Sequence, residues 1–166
     1  MRALIAHKNP EKIIIIPSSE RDDKKYHISD EHRLALLDIF VREIDDSRVM
    51  VDDYFIRNWK GEMITRDVDT YARDTYGADI IHVFGTDTIA SMPAWDSEQY
   101  AAKTISKIFI PRDRFDVMGD VVHIENFTFF TESHIPEISS TELRARIPEY
   151  TSLHALFDEN PKFIIP

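Results

Sequence analysis

Cysteine is absent from the 166-residue chain. That excludes disulfide scaffolds, thiolate zinc sites, iron–sulfur clusters and cysteine nucleophiles together. Glycine is nearly as scarce: the four present are Gly61, Gly77, Gly85 and Gly119. They are too widely spaced for a G-x-G-x-x-G fingerprint, a Walker A loop or a G-x-S-x-G elbow. Apolar runs stop short as well, the strongest being Ile13-Ile14-Ile15-Ile16, against the ~20 residues that span a bilayer. No secretory leader is expected either, because Asn9-Pro10 follows Met1 to Lys8 before an apolar stretch can form. A cytoplasmic protein without a membrane partner is the expectation. Positive charge is in deficit, 20 basic residues facing 30 acidic ones for a formal charge of −10. Such an excess of acid disfavours a nucleic-acid partner held by bulk charge, yet leaves room for a local basic pocket that takes a phosphorylated small molecule.

What is present suits a folded chain. Apolar residues make up 43% and aromatics 11%, too many for disorder. With no repeat or linker, residues 1–166 read as a single domain. The opening residues to Lys8 read as the end of a helix, stopped by Asn9-Pro10. Lys12 to Ile16 reads as a strand buried on both faces. Ser29 is placed to cap a helix with Glu31 and His32 in its first turn and Leu34, Leu37, Phe40 and Val41 along one face. Arg48 to Val51 is a second strand. Thr65 to Tyr76 is a helix closed by Gly77 as a left-handed cap. Asp79 to Phe84 is a third buried strand, which Gly85-Thr86-Asp87-Thr88 turns into a short helix. Lys103 to Ile110, Val121 to Ile124 and Phe127 to Phe130 supply further strands, and Ser139 to Arg146 and Thr151 to Phe157 further helices. Strands alternating with helices predict an α/β, Rossmann-like doubly wound parallel sheet. Ligands of such sheets sit outside the carboxyl ends of the strands. Ser18-Ser19, Asp52-Asp53, Gly85-Thr86-Asp87 and Arg112-Asp113 follow strands directly.

Three constellations carry candidate chemistry, each beside a plainer reading. Ser139-Ser140-Thr141 opens a helix with Arg144 one turn on, so free N–H groups, hydroxyls and a forked cation converge where a phosphate could sit. The same residues also satisfy an ordinary capping box, Ser139 with Glu142. Gly85-Thr86-Asp87 places a glycine and an acid at a strand-to-helix turn, where a ribose can be held; a simple cap by Thr86 or Asp87 is the alternative. Trp95 can stack on a heteroaromatic ring or pack into the core. The seven histidines form no i,i+4 pair, and no protein-held metal is expected. His82 and His123 read as core residues of strands, while His27, His32 and Arg33 could line a pocket mouth.

Gly85-Thr86-Asp87, Trp95 and Ile138-Ser139-Ser140-Thr141-Glu142-Leu143-Arg144, in this order, resemble the nicotinate-nucleotide adenylyltransferase family. Ile16-Pro17-Ser18 and Glu31-His32-Arg33-Leu34-Ala35 extend the likeness over nearly the whole chain. The resemblance implies a nucleotidyltransferase-type domain that moves AMP from ATP to a pyridine mononucleotide and releases pyrophosphate, with Mg²⁺ accompanying the triphosphate. Ser139, Ser140, Thr141 and Arg144 would hold ATP phosphates; Gly85, Thr86 and Asp87 would meet the adenosine; Trp95, Ser18 and Arg112 would meet the pyridine nucleotide. A homo-oligomer is compatible with the family. The family's H-x-G-H motif, and the strand that precedes it, have no counterpart in Met1 to Ile16, and the helix that in the family normally follows a segment like Asn160 to Pro166 is expected to be missing too. An incomplete sheet is therefore expected, with a non-catalytic nucleotide-binding relative, or a fragment lacking the catalytic loop, as the alternative function.

Overall fold

The chain was analysed as a computed structural model, which describes residues 1–18, 29–59, 61–77, 79–111 and 120–132. The helices expected at Ser139 to Arg146 and Thr151 to Phe157 lie outside them. The first helix, α1 (Arg2–Lys8), ends at Asn9, which takes the left-handed conformation at φ 44° that asparagine tolerates. Strand β1 (Ile13–Ile15) follows, then α2 (Asp30–Ile44). Ser29 caps α2 by accepting from the His32 backbone N–H at 3.4 Å, with Asp30 and Glu31 in the first turn. Strand β2 (Val49–Val51) leads to α3 (Tyr54–Asn58) and α4 (Thr65–Tyr76). Gly77 after α4 sits at φ 109°, ψ 175°, a positive-φ conformation open to glycine but not the left-handed cap expected. Strand β3 (His82–Gly85) runs into 3-10 turns at Thr86–Thr88 and Met92–Ala94. Helix α5 (Tyr100–Lys103), β4 (Lys107–Ile110) and β5 (Phe127–Phe129) complete the described elements.

All the described strand pairs are parallel, in a two-stranded sheet β1-β2 and a three-stranded sheet β3-β4-β5. The architecture is the α/β, Rossmann-like one expected. Helix α4 contacts both sheets. The Tyr76 hydroxyl donates to Asp52 Oδ2 at 2.6 Å just past β2, and Lys12 lies over the Tyr76 ring beside β1. One turn and more toward its start, Asp69 Oδ1 meets His82 Nε2 of β3 at 2.8 Å.

Four local expectations need correction. Val121 to Ile124 is not a strand but part of a 3-10 helix over Asp120–His123. Val121 packs on the core and Ile124 is buried, while Val122 is exposed; the three-residue spacing of the inward pair selects a three-residue turn, closed by Ile124 N–H to Val121 O at 3.0 Å. His123 is accordingly exposed, not a strand-core residue. Lys103 to Ile110 splits, because Asp96 accepts from the N–H groups of Tyr100 and Ala101 and starts α5, leaving only Lys107 onward extended. Finally, β1 and β3 are half-buried instead of enclosed. Val83 pairs in register with Ile108, but Leu4 of α1 packs on Ile108 and leaves Val83 exposed.

Lys107 is buried at the start of β4, its ammonium held by the Ala102 and Glu125 carbonyl oxygens at 3.1 and 2.5 Å. Burial lowers its pKa from 10.5 to about 8, opposed by the charge of Glu125. The folded chain therefore binds this proton more weakly than the unfolded one. The resulting destabilisation is full below about pH 8 and fades as pH rises toward 10.5. Urea titrations should show wild type gaining about 3 kcal/mol relative to Lys107→Met across that window. A difference that stays flat with pH would contradict the buried-charge reading.

Candidate functional site

In parallel α/β sheets the loops after the strands gather at one edge, and ligand-binding residues belong there. After β1, the Ser18 carbonyl accepts from Arg33 at 2.8 Å, and Arg33 also pairs with Asp30 at 2.9 Å. The start of α2 is thereby tied to the loop that carries Ser18. After β2, the two acids have structural work. Asp52, which is buried, accepts from the Tyr54 N–H at 2.9 Å and from the Tyr76 hydroxyl; Asp53 pairs with Arg57. Burial together with the Asp52 hydrogen bond pushes the Tyr76 phenol well above its ordinary value, so Tyr76 stays the donor. Tyr54 stacks on Tyr71 with ring centroids 4.4 Å apart.

The third edge, after β3, holds the residues expected to meet the nucleotide. Gly85 has φ −78°, ψ 153°, an extended conformation that any residue adopts, so its backbone angles do not demand glycine. Its carbonyl accepts from the Thr88 hydroxyl at 2.8 Å. Thr86 is buried and Asp87 exposed. The cap position of this turn is Gly85, which has no side chain to offer the free N–H groups. Trp95 is half-buried, edge-on to Phe84 at 5.6 Å, with its indole N–H donating to the Ser91 hydroxyl at 3.1 Å. Since Phe84 directly precedes Gly85, the fold brings Trp95 to the strand that presents Asp87.

Arg112, Ser139, Ser140, Thr141, Arg144 and His27 lie outside the described residues. His32 is exposed, with its Nδ1 3.0 Å from the Ser29 hydroxyl. A cavity of about 340 Å³ opens elsewhere, between α2, β2 and α3, lined by Leu34, Val41, Val51 and Arg57 among others. Of the residues after the strands only Asp53 lines it, and none of those expected to meet the nucleotides does. Among the described residues no cluster of three or more His, Asp and Glu could hold a metal, and no helix is long and apolar enough to cross a membrane.

Sequence reasoning missed one group, which meets the first residue of β3. Asp69 is 1% exposed, with Oδ1 on His82 Nε2 and Oδ2 accepting from Arg73 Nε and the Tyr100 hydroxyl, all at 2.8 Å. Burial works to raise its pKa, but hydrogen bonds from Arg73, His82 and Tyr100 outweigh that and hold it below the ordinary carboxylate value. An acid inside a helix that is otherwise polar gives no hint of such a role.

A family described as cytidylyltransferase-like matches the chain over residues 2–146. Among solved structures, the fold is similar to Plasmodium falciparum nicotinic acid mononucleotide adenylyltransferase complexed with NaAD. That likeness has a TM-score of 0.74 and 16% identity, covering 94% of this chain and 79% of that one. The Plasmodium falciparum enzyme complexed with APC is also similar, with TM-score 0.69, 15% identity and coverage of 93% and 78%. At such identities the likeness is one of fold.

Proposed function

Since the chain belongs to the cytidylyltransferase-like family, we propose that it transfers AMP from ATP to a pyridine mononucleotide, with nicotinate mononucleotide the favoured acceptor, in NAD biosynthesis. The observation that carries this reading is the pairing, after β3, of an exposed acid with a held aromatic: Asp87 on the turn and Trp95 against Phe84. An exposed carboxylate suits ribose hydroxyls, and an indole face suits a pyridine ring. Ser139, Ser140, Thr141 and Arg144 would hold the ATP phosphates, Gly85 and Thr86 would flank the adenosine, and Ser18 and Arg112 would face the mononucleotide. Mg²⁺ arrives with ATP as part of the substrate.

The reaction asks for no nucleophilic side chain. A phosphate oxygen of the mononucleotide attacks the α-phosphorus of ATP, the bond to the β-phosphate oxygen breaks, and pyrophosphate leaves. Positioning and neutralisation of the charge that builds at phosphorus supply the rate.

Titration calorimetry tests the assignment of Asp87. Asp87→Asn should bind ATP about tenfold more weakly, since a hydrogen bond to a charged group is worth ~1.5–3 kcal/mol, with its melting temperature unchanged. Equal affinity in wild type and variant would remove Asp87 from the site.

A further inference from the structure

We propose that Asp69 is a positioning residue: it fixes the Gly85–Asp87 turn against the Trp95 segment, so that the two halves of the nucleotide site keep one spacing. This rests on the reading of those residues as the adenosine and pyridine sides of that site.

The geometry is a closed circuit. From Asp69 Oδ1 one arm runs through His82 Nε2 at 2.8 Å into β3, which continues through Val83 and Phe84 to Gly85. The His82 and Phe84 rings lie parallel, 6.0 Å apart. From Asp69 Oδ2 the other arm runs through the Tyr100 hydroxyl at 2.8 Å into α5. Tyr100 N–H in turn donates to Asp96 Oδ1 at 2.8 Å, and Asp96 is joined directly to Trp95. The edge-on contact of Trp95 with Phe84 closes the loop. Arg73, one turn along α4, takes the remaining capacity of Oδ2 at 2.8 Å. On the other side Arg66 pairs with Glu98 and lies over the Tyr100 ring at 5.0 Å. Helix α4 thus holds both arms, and it is itself fixed to the β1-β2 sheet through Tyr76 and Asp52.

The ion pair with Arg73 and the hydrogen bonds it receives keep this carboxylate ionised. Its partners from Arg73 and Tyr100 are donors, and a carboxylate can only accept, which sets His82 with its proton on Nε2. A buried acceptor with three directed donors defines orientation as well as energy. Each arm ends one to four residues from a proposed ligand contact, so loosening one arm should misplace one side of the site and leave the other. A carboxylate with a merely structural role would lower the melting temperature without separating the two ligands.

The test uses a Trp59→Phe background, in which Trp95 is the sole tryptophan. Tyr100→Phe removes one hydroxyl and keeps the ring; His82→Phe removes the imidazole N–H and keeps a flat ring beside Phe84. Acrylamide quenching of Trp95 and calorimetric affinities for ATP and nicotinate mononucleotide are then compared below the melting transition. Tyr100→Phe should raise quenching about twofold and weaken nicotinate mononucleotide about tenfold, with ATP affinity held; His82→Phe should weaken ATP instead, each being the loss of one hydrogen bond to a charged group. If the background protein binds neither nucleotide, the functional reading falls, and the inference is then decided by quenching alone. Quenching and affinities equal to the background in both folded variants would overturn the positioning role, as would equal weakening of both ligands by each variant.

Discussion

Phe109→Ala should destabilise the chain by about 3–5 kcal/mol, the range for emptying a buried aromatic site. Phe109 has no solvent exposure and lies on β4, the middle strand of β3-β4-β5. The rings of Phe84, Phe127 and Phe129 surround it at 6.3, 5.8 and 6.1 Å, so truncation leaves a space bounded by rigid neighbours that cannot collapse into it. A loss of that size is a large part of the ~5–15 kcal/mol that holds a domain together. The effect reaches the candidate site, since Phe84 touches both Phe109 and Trp95. Urea unfolding should show a lower midpoint with the slope unchanged. A loss below about 1 kcal/mol would mean that the three-stranded sheet is not the core described.

Arg144→Ala should weaken ATP about 10- to 150-fold, the equivalent of ~1.5–3 kcal/mol for a lost hydrogen bond to a charged group. Arg144 follows Ser140 by four residues in the sequence and is permanently charged, which suits a triphosphate better than a compact ammonium does. Arg144→Lys should therefore recover only part of the affinity. The competing reading makes Ser139 and Glu142 a capping box in which Arg144 has no share. Calorimetry separates the two: unchanged ATP affinity in a folded Arg144→Ala protein leaves that segment with the capping reading alone.

Long patterned elements were legible in the sequence. Helix α4 begins and ends where its composition and Gly77 place it, and Ser29 caps α2 as its position before Asp30 and Glu31 suggests. The short elements were not. Helices α3 and α5 have five and four residues, too few for a helical period to register. Each is started by an acid that bonds backbone N–H groups, Asp52 at Tyr54 and Asp96 at Tyr100, and acids read equally well as loop residues. Val121 and Val122 favour a strand by propensity, and packing of Val121 and Ile124 overrides it. At the candidate site, Gly85-Thr86-Asp87 was visible as a polar turn after an apolar strand. The Trp95–Phe84 contact was not, because it is made across eleven residues by the fold. Least visible was Asp69, whose partners His82 and Tyr100 lie 13 and 31 residues away.

The most direct measurement of the central claim follows the label of ATP marked at the α-phosphate, incubated with Mg²⁺, nicotinate mononucleotide and the protein. AMP transfer predicts that label enters a dinucleotide in step with pyrophosphate release, and that both cease when the mononucleotide is left out. Label that stays in ATP, or leaves it equally well without the acceptor, would contradict the account.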